Sequence, residues 1–329
     1  MNHEMDKARF QGLELGERGE RDRIWVLIFL LTMAALLLRL YRIGEWSFWE
    51  DEVFTLREAN HSWGELFSLK RNKYPLLPML QRAFLPLVPG MGEGSFRLLP
   101  AIVGALNVPA LYLAGRSLIG RGPAALAAAF LAVSPWAIYW SQNCRYYTLV
   151  SLMAIATAGT FWWGLRRRSG ILAPMAAFGP ALLALLSHPS AAFVIAALSG
   201  YMLRDLLVQR GPVGRRARAR AWRFLLCVLA VALLGWSLMR GPLASYQAAK
   251  APNPLSHLVM TLAFFMGVPL LALAFLSWLP LRARARDTAD LLFLLLLVPI
   301  ATVAFLGLWV RASAQYLHYT LPFFCLLGA

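Results

Sequence analysis

Apolar runs of about 20 residues recur along almost the whole 329-residue chain, and they restrict its fold more than any other feature. A helix of that length is enough to cross the hydrocarbon core of a bilayer. Hydrophobic residues make up 59% of the chain and charged residues 15%, whereas soluble domains have roughly 45–50% and about 25%. The sequence therefore predicts an all-α fold, a polytopic transmembrane helical bundle. About ten spans are expected, the last one incomplete: 24–42, 97–116, 123–141, 146–165, 171–187, 190–207, 224–241, 257–280, 290–310 and one from 317.

Arginine clusters predict the orientation of these spans. Basic residues concentrate in the cytoplasmic loops of membrane proteins, and here they fall at every second connection, including 166–168 and the stretch from Arg204 to Arg223. We therefore expect a multi-pass protein of the cell membrane with a cytoplasmic N-terminus. The same rule accounts for the net charge of +16, so the charge is not taken to indicate a nucleic-acid partner. The predicted parts are a cytoplasmic tail (1–23), a first transmembrane helix (24–42), an extracytoplasmic catalytic loop (43–96) and a transmembrane bundle (97–329).

Acidic residues concentrate in the predicted outer loop 43–96, which contains the triplet Glu50-Asp51-Glu52. Ser47-x-x-Glu50 and Ser62-x-x-Glu65 have the spacing of a capping box, so we expect short amphipathic interfacial helices over 48–59 and 63–70. The triplet could serve only to complement the positive end of a helix. It could also place a carboxylate where a lipid headgroup meets a water-side acceptor. The apolar stretch 75–90 is expected to be interfacial or re-entrant, because a further crossing would reverse the arginine pattern.

Other polar residues lie at predicted outer membrane edges. Arg145 could bind an anion or simply extend its charged end towards water. His188 precedes a proline and suits a hydrogen-bonded turn as well as a ligand contact. Cys144, Cys227 and Cys325 lack metal-ligand spacing, and the chain contains no nucleotide-binding loop or nucleophile-elbow motif.

Several of these segments, in order, resemble the protein O-mannosyltransferases and their bacterial relatives, the aminoarabinose transferases, within the GT-C superfamily of membrane glycosyltransferases. The matching segments are Asp51-Glu52-Val53, Lys73-Tyr74-Pro75-Leu76, the run from Phe96 to Tyr112 that begins Phe-Arg-Leu-Leu-Pro-Ala, Ser134-Pro135, Ser141 to Arg145, and Gln315 to Pro322. Three positions depart from the family pattern: Asn143, Val150 and Gln315. Relatives are usually longer, so we expect the natural chain to continue beyond Ala329.

The resemblance implies transfer of a sugar, with inversion, from a polyprenyl-phosphate donor to a hydroxyl of a lipid, glycan or protein acceptor outside the membrane. It implies Asp51 as general base and Glu52 as a supporting acid. Candidates for binding the donor phosphate are, in order, Arg145, Lys73 and Arg57. Tyr74, Gln142 and His188 are further substrate-binding candidates. No cofactor is implied with certainty, although Asp51 and Glu52 together could hold a divalent cation.

Two other classes of protein remain open from the sequence. A lipid-linked sugar flippase or transporter would carry ionisable groups in mid-membrane and repeated halves with broken helices. A membrane scaffold would need no concentration of acids at an outer edge. The predicted spans after the first are nearly free of charge and show no internal repeat, which favours the transferase.

Overall fold

The computed structural model describes residues 22–67, 74–88, 90, 92–166, 173–208, 215, 217–230, 232–233, 255–307 and 314–329. All regular structure in these ranges is helical, which confirms the predicted all-α class. The helices are α1 Asp22–Leu40, α2 Glu50–Ala59, α3 Trp63–Leu66, α4 Leu76–Phe84, α5 Glu93–Leu118, α6 Arg121–Val133, α7 Pro135–Ser141, α8 Tyr147–Arg166, α9 Phe178–Ser187, α10 Ala192–Val208, α11 217–230, α12 Leu255–Met266, α13 Val268–Arg284, α14 Arg286–Gly307 and α15 Leu321–Gly328. Short 3₁₀ helices cover Leu85–Leu87, Ala173–Ala177, Pro189–Ala191 and Ala314–Thr320.

Five helices of the described chain are long and apolar enough to cross a membrane, or up to seven if each of two bent helix pairs counts as one span. The five include α1, α5, α8 and α14, and the fifth runs through Pro189–Val208. The expected number of ten stays a prediction, because the predicted span 224–241 lies partly outside the described residues.

The predicted span 123–141 is not one straight helix. Helices α6 and α7 meet at a 56° bend, where Ser134 is extended and Pro135 opens α7. Proline has no N–H group, so the carbonyl of Leu131 loses its intrahelical donor. Arg39 of α1, which is fully buried, supplies donors instead, from Nη2 to Leu131 O at 3.5 Å and from Nη1 to Ala132 O at 3.1 Å.

The predicted span 257–280 is broken as well. Helix α12 ends at Met266 and α13 starts at Val268, with Gly267 between them at φ 79°. This left-handed conformation suits glycine because a Cβ atom would be strained there. The predicted span 171–187 begins with a 3₁₀ turn before α9, so its α-helical part is short.

The two predicted capping boxes have different outcomes. Ser62 caps α3 as expected, because its hydroxyl accepts from Glu65 N–H at 3.3 Å and Glu65 accepts from Ser62 N–H at 3.0 Å. The box at Ser47 is wrong: α2 starts at Glu50, with Trp49 as its N-cap. Here Glu52 accepts a hydrogen bond from Trp49 N–H at 3.4 Å, and Arg97 donates to the Ser47 carbonyl.

Helix α4, in the apolar stretch 75–90, has nine residues, which is too few to cross a bilayer.

Each end of the helix bundle has its own set of polar side-chain contacts. The segments expected outside the membrane meet at one end, where the loop after α1 contacts the start of α5 and the α7–α8 turn. At the other end Arg204 contacts Asp205 at 3.0 Å and both Asp287 and Asp290 at 2.8 Å. These helix ends are the ones that the arginine pattern predicts to lie together on the cytoplasmic side.

Gly104 lets α5 and α7 approach closely. A Cβ atom at this position would lie 2.1 Å from Ser141 Oγ and 3.1 Å from Arg39 Nε. The glycine therefore makes room for the hydrogen bond of 3.1 Å that Arg39 Nε donates to Ser141 Oγ.

We expect Gly104→Ala to destabilise the protein by about 1–3 kcal/mol, the usual cost of overpacking. Gly122→Ala is the matched control, because a Cβ atom there has nothing within 4 Å. Thermal unfolding of both variants in detergent gives the comparison, and equal melting temperatures would contradict the role of Gly104.

Candidate active site

A buried ion pair organises the end of the bundle that carries the acidic triplet. Glu52 and Arg97 are almost completely inaccessible to solvent. Arg97 donates from Nε to Glu52 Oε1 at 2.8 Å and from Nη2 to Oε2 at 2.6 Å, a two-pronged contact. Cys144 N–H donates to the same Oε1 atom at 2.7 Å. Both carboxylate oxygens of Glu52 are therefore engaged inside the protein.

Arg97 also anchors the chain between α1 and α2. Its Nη1 donates to the carbonyls of Ile43 at 3.2 Å and Trp46 at 2.7 Å, and its Nη2 to that of Ser47 at 3.1 Å. The guanidinium thereby fixes the start of α2, and Glu52 fixes the α7–α8 turn through Cys144.

Because these contacts occupy Glu52, a divalent ion shared by Asp51 and Glu52 does not fit this arrangement. No group of three or more His, Cys, Asp or Glu residues in the described chain is arranged to hold a metal ion.

Asp51 lies beside Arg145. The side chain of Asp51 is 35% exposed, and its Oδ2 is 3.6 Å from Nη2 of Arg145, whose side chain is 15% exposed. Nη1 of Arg145 donates to Asp51 O at 2.8 Å and to Thr55 Oγ1 at 2.9 Å. Its Nε is buried and makes no hydrogen bond within the part of the chain that the structure describes. The Nε–Nη2 edge is thus the less saturated edge of this guanidinium.

Glu58 is a nearby acid that the sequence analysis did not single out. It lies seven residues after Asp51 on α2, which places both on one face of the helix. Burial raises the pKa of Glu58, and electrostatic attraction, mainly from Arg145, opposes this shift. A helical-wheel comparison with Asp51 would have found this residue.

An aromatic cluster adjoins Arg145. The guanidinium lies 4.8 Å from the ring centre of Tyr146, which stacks on His188 at 4.1 Å. Tyr74 and Tyr316 flank the same imidazole at 5.2 and 5.0 Å. Tyr316 was not predicted as a site residue, and its position depends on a contact between distant parts of the chain.

His188 is buried and uncharged at neutral pH. Burial, with the nearby charge of Arg145, lowers the pKa of His188 to about 3. Its Nδ1 accepts from Ser190 N–H at 3.2 Å, so the proton of the neutral ring lies on Nε2. The hydrogen-bonded turn that the sequence suggested is therefore present, and His188 contributes an aromatic face to the cluster.

Gln142 and Arg57 are two further predicted site residues that the structure describes. The Gln142 side chain donates to carbonyls at the end of α1, including Arg39 O at 3.3 Å and Tyr41 O at 2.8 Å. Such carbonyls have no intrahelical donors, so Gln142 caps α1. Arg57 is exposed on α2, and Lys73 lies outside the described residues.

The fold is shared with solved membrane glycosyltransferases. The archaeal oligosaccharyltransferase AglB from Archaeoglobus fulgidus, in complex with an inhibitory peptide and a dolichol-phosphate, matches with a TM-score of 0.65 and 15% identity over 94% of this chain and 50% of its own. ArnT from Cupriavidus metallidurans, bound to undecaprenyl phosphate, matches with a TM-score of 0.65 and 17% identity over 92% of this chain and 59% of its own.

Both proteins belong to the GT-C glycosyltransferases, and the bundle is built like theirs, as the resemblance implied. The chain spans about half the length of these proteins. No protein-family model and no curated protein sequence matches the chain.

We predict that Glu52→Gln destabilises the protein by about 3–5 kcal/mol, because it leaves the Arg97 charge buried without a counter-charge. Glu50→Gln, an exposed neighbour in the same helical turn, is the control and should change the melting temperature little. In a cycle with Arg97→Gln, the double variant should be less destabilised than the sum of the single variants. Additive effects would show that the two residues act independently.

Proposed function

We propose that this protein is a membrane glycosyltransferase that transfers a sugar from a polyprenyl-phosphate donor to a hydroxyl acceptor. The observation that carries the proposal is the pairing of a partly exposed carboxylate, Asp51, with Arg145 at one end of the bundle. Similar folds occur in AglB in complex with a dolichol-phosphate and in ArnT bound to undecaprenyl phosphate, which supports a lipid phosphate as the leaving group.

In this proposal Asp51 is the general base. It takes the proton from the acceptor hydroxyl while the hydroxyl oxygen attacks the anomeric carbon of the donor sugar. The bond between that carbon and the phosphate oxygen breaks, and the electron pair leaves with the lipid phosphate. Because attack and departure occur on opposite sides of one carbon, the anomeric centre is inverted.

Arg145 binds the lipid phosphate, whose negative charge grows as the bond breaks. Its Nε–Nη2 edge can donate two parallel hydrogen bonds to phosphate oxygens, because Nε has no hydrogen-bond partner among the described residues and the contact of Nη2 with Asp51 is 3.6 Å long. Donor binding would move the guanidinium away from the Asp51 carboxylate, and Asp51 would then accept a proton more readily. Tyr74 and His188, beside Tyr146, complete the wall of the donor site in this scheme.

Glu52 acts as a positioning residue. Its oxygens do not reach the substrate, since Arg97 and Cys144 N–H occupy them. It holds the backbone next to Asp51 and the backbone next to Arg145 at the same time. Orientation of the loop is a supporting role of the kind that the resemblance implied for Glu52.

The function is tested with the purified protein in lipid nanodiscs and a labelled polyprenyl-phosphate sugar. We expect release of free polyprenyl phosphate, because transfer of the sugar and its slow hydrolysis by water both produce it. Movement of intact donor across vesicle membranes without any release would indicate a flippase instead.

Asp51→Asn should lower the rate of polyprenyl phosphate release by about 10²–10⁴, because the amide cannot accept the proton. Glu50→Gln is the matched control and should remain within a few-fold of wild type. Glu58→Gln tests the neighbouring acid on the same helix face. Full activity of Asp51→Asn together with loss in Glu58→Gln would transfer the role of base to Glu58.

Arg145→Lys should weaken donor binding about tenfold or more, because a point charge replaces a forked contact. Arg284→Lys, at an exposed position at the other end of the bundle, should bind the donor like wild type. Donor affinity is measured in the absence of acceptor, which separates binding from turnover. If Arg145→Lys and Arg145→Ala both bind the donor like wild type, Arg145 does not hold the phosphate.

A further inference from the structure

A pocket lies on the other side of α2 from Asp51. It is open, has a volume of about 830 Å³ and is enclosed by α2, α3, α4 and the start of α5. Its walls are mainly apolar, with contributions from Phe48, Leu56, Trp63 and Phe96. The volume lies within the range of about 300–1,000 Å³ that is usual for small-molecule sites.

This pocket is separate from the Asp51–Arg145 site. Leu56 of α2 faces the pocket, whereas Asp51 faces Arg145. At 3.6 residues per turn, the two positions differ by about 140° around the helix. Helix α2 therefore separates the two sites, and neither Asp51 nor Arg145 lines the pocket.

Arg82 places a positive charge in these apolar surroundings. Its guanidinium lies 5.5 Å from the ring centre of Trp63, and Nη1 is 3.5 Å from Asn60 O, at the limit of a hydrogen bond. Its Nε is buried and has no hydrogen-bond partner among the described residues. Within the described chain, Arg82 forms no ion pair with a carboxylate. A buried donor that stays unpaired is unfavourable, so a ligand acceptor beside this guanidinium would be favourable.

The start of α5 adds to the positive character of the same pocket. Gly92 and Ser95 line it, and Gly92 is the N-cap of α5 without a side-chain cap. The first N–H groups of a helix lack intrahelical acceptors and form its positive end. Glu93 lies in this turn but does not line the pocket.

We propose that this pocket binds an amphiphile with an apolar chain and a phosphate group, independently of the donor site. The chain covers the aromatic walls, and the phosphate accepts hydrogen bonds from Arg82. A neutral alkyl chain would leave Arg82 unpaired, and inorganic phosphate would leave the apolar walls exposed. Both parts of the ligand are therefore needed.

The test uses radiolabelled dodecyl phosphate and the immobilised protein in a neutral maltoside detergent, read by scintillation proximity. Every variant carries Arg145→Gln, so that the donor phosphate site cannot account for the signal. In this background we expect saturable binding that unlabelled dodecyl phosphate displaces. Dodecanol and inorganic phosphate should displace it poorly.

Adding Arg82→Gln should weaken the binding about tenfold or more. Adding Ala83→Trp should also weaken it, because Ala83 lines the pocket and the larger side chain fills it. Adding Arg284→Gln, which removes an exposed charge at the other end of the bundle, should leave the affinity within about twofold.

Loss of all binding on Arg145→Gln alone would overturn the proposal, and so would equal effects of Arg82→Gln and Arg284→Gln. Because no turnover is measured, the outcome is independent of whether the protein transfers a sugar.

Discussion

The candidate site depends on the buried pair of Glu52 and Arg97. An ion pair inside a protein adds little net stability, because both charges lose their hydration. Its effect here is on geometry. Arg97 and Glu52 form a two-pronged contact, Arg97 also binds three carbonyls, and Glu52 also binds the Cys144 N–H. Together these contacts join three segments that are far apart in sequence. The relative position of Asp51 and Arg145 follows from this junction.

Two adjacent acids thus have different environments. Glu52 is fully buried and saturated with donors, whereas Asp51 is partly exposed beside a guanidinium with an unsaturated edge. Successive residues of a helix point about 100° apart, so Glu52 faces Arg97 and Asp51 faces Arg145. Two acids that are adjacent in the sequence therefore need not have the same chemical role. In our proposal one accepts a proton and the other holds the first in place.

Much of the architecture could be predicted from residue types alone. Apolar runs of bilayer length indicated the helical class, and the loops predicted to lie outside do meet at one end of the bundle. The helix breaks were missed because hydropathy averages over Pro135 and Gly267. The role of Arg97 was missed because it depends on contacts with residues about 45 to 55 positions earlier in the chain. For the same reason the contact of the Gln142 side chain with the end of α1 could not be predicted. Local patterns identify which residues carry chemistry, but not which of them meet.

Arg39 has a consequence for the order in which the protein assembles. Much of α1 is exposed in the structure, but Arg39 near its end carries a permanent positive charge. The guanidinium donates to carbonyls of α6 at the point where the helix breaks before Pro135. Those carbonyls belong to residues synthesised more than 90 positions later. During biosynthesis the charge of Arg39 has to stay hydrated at the membrane surface until α6 and α7 have entered the bilayer. The docking of the first helix is therefore a late event, and the loop that carries Asp51 follows directly after it.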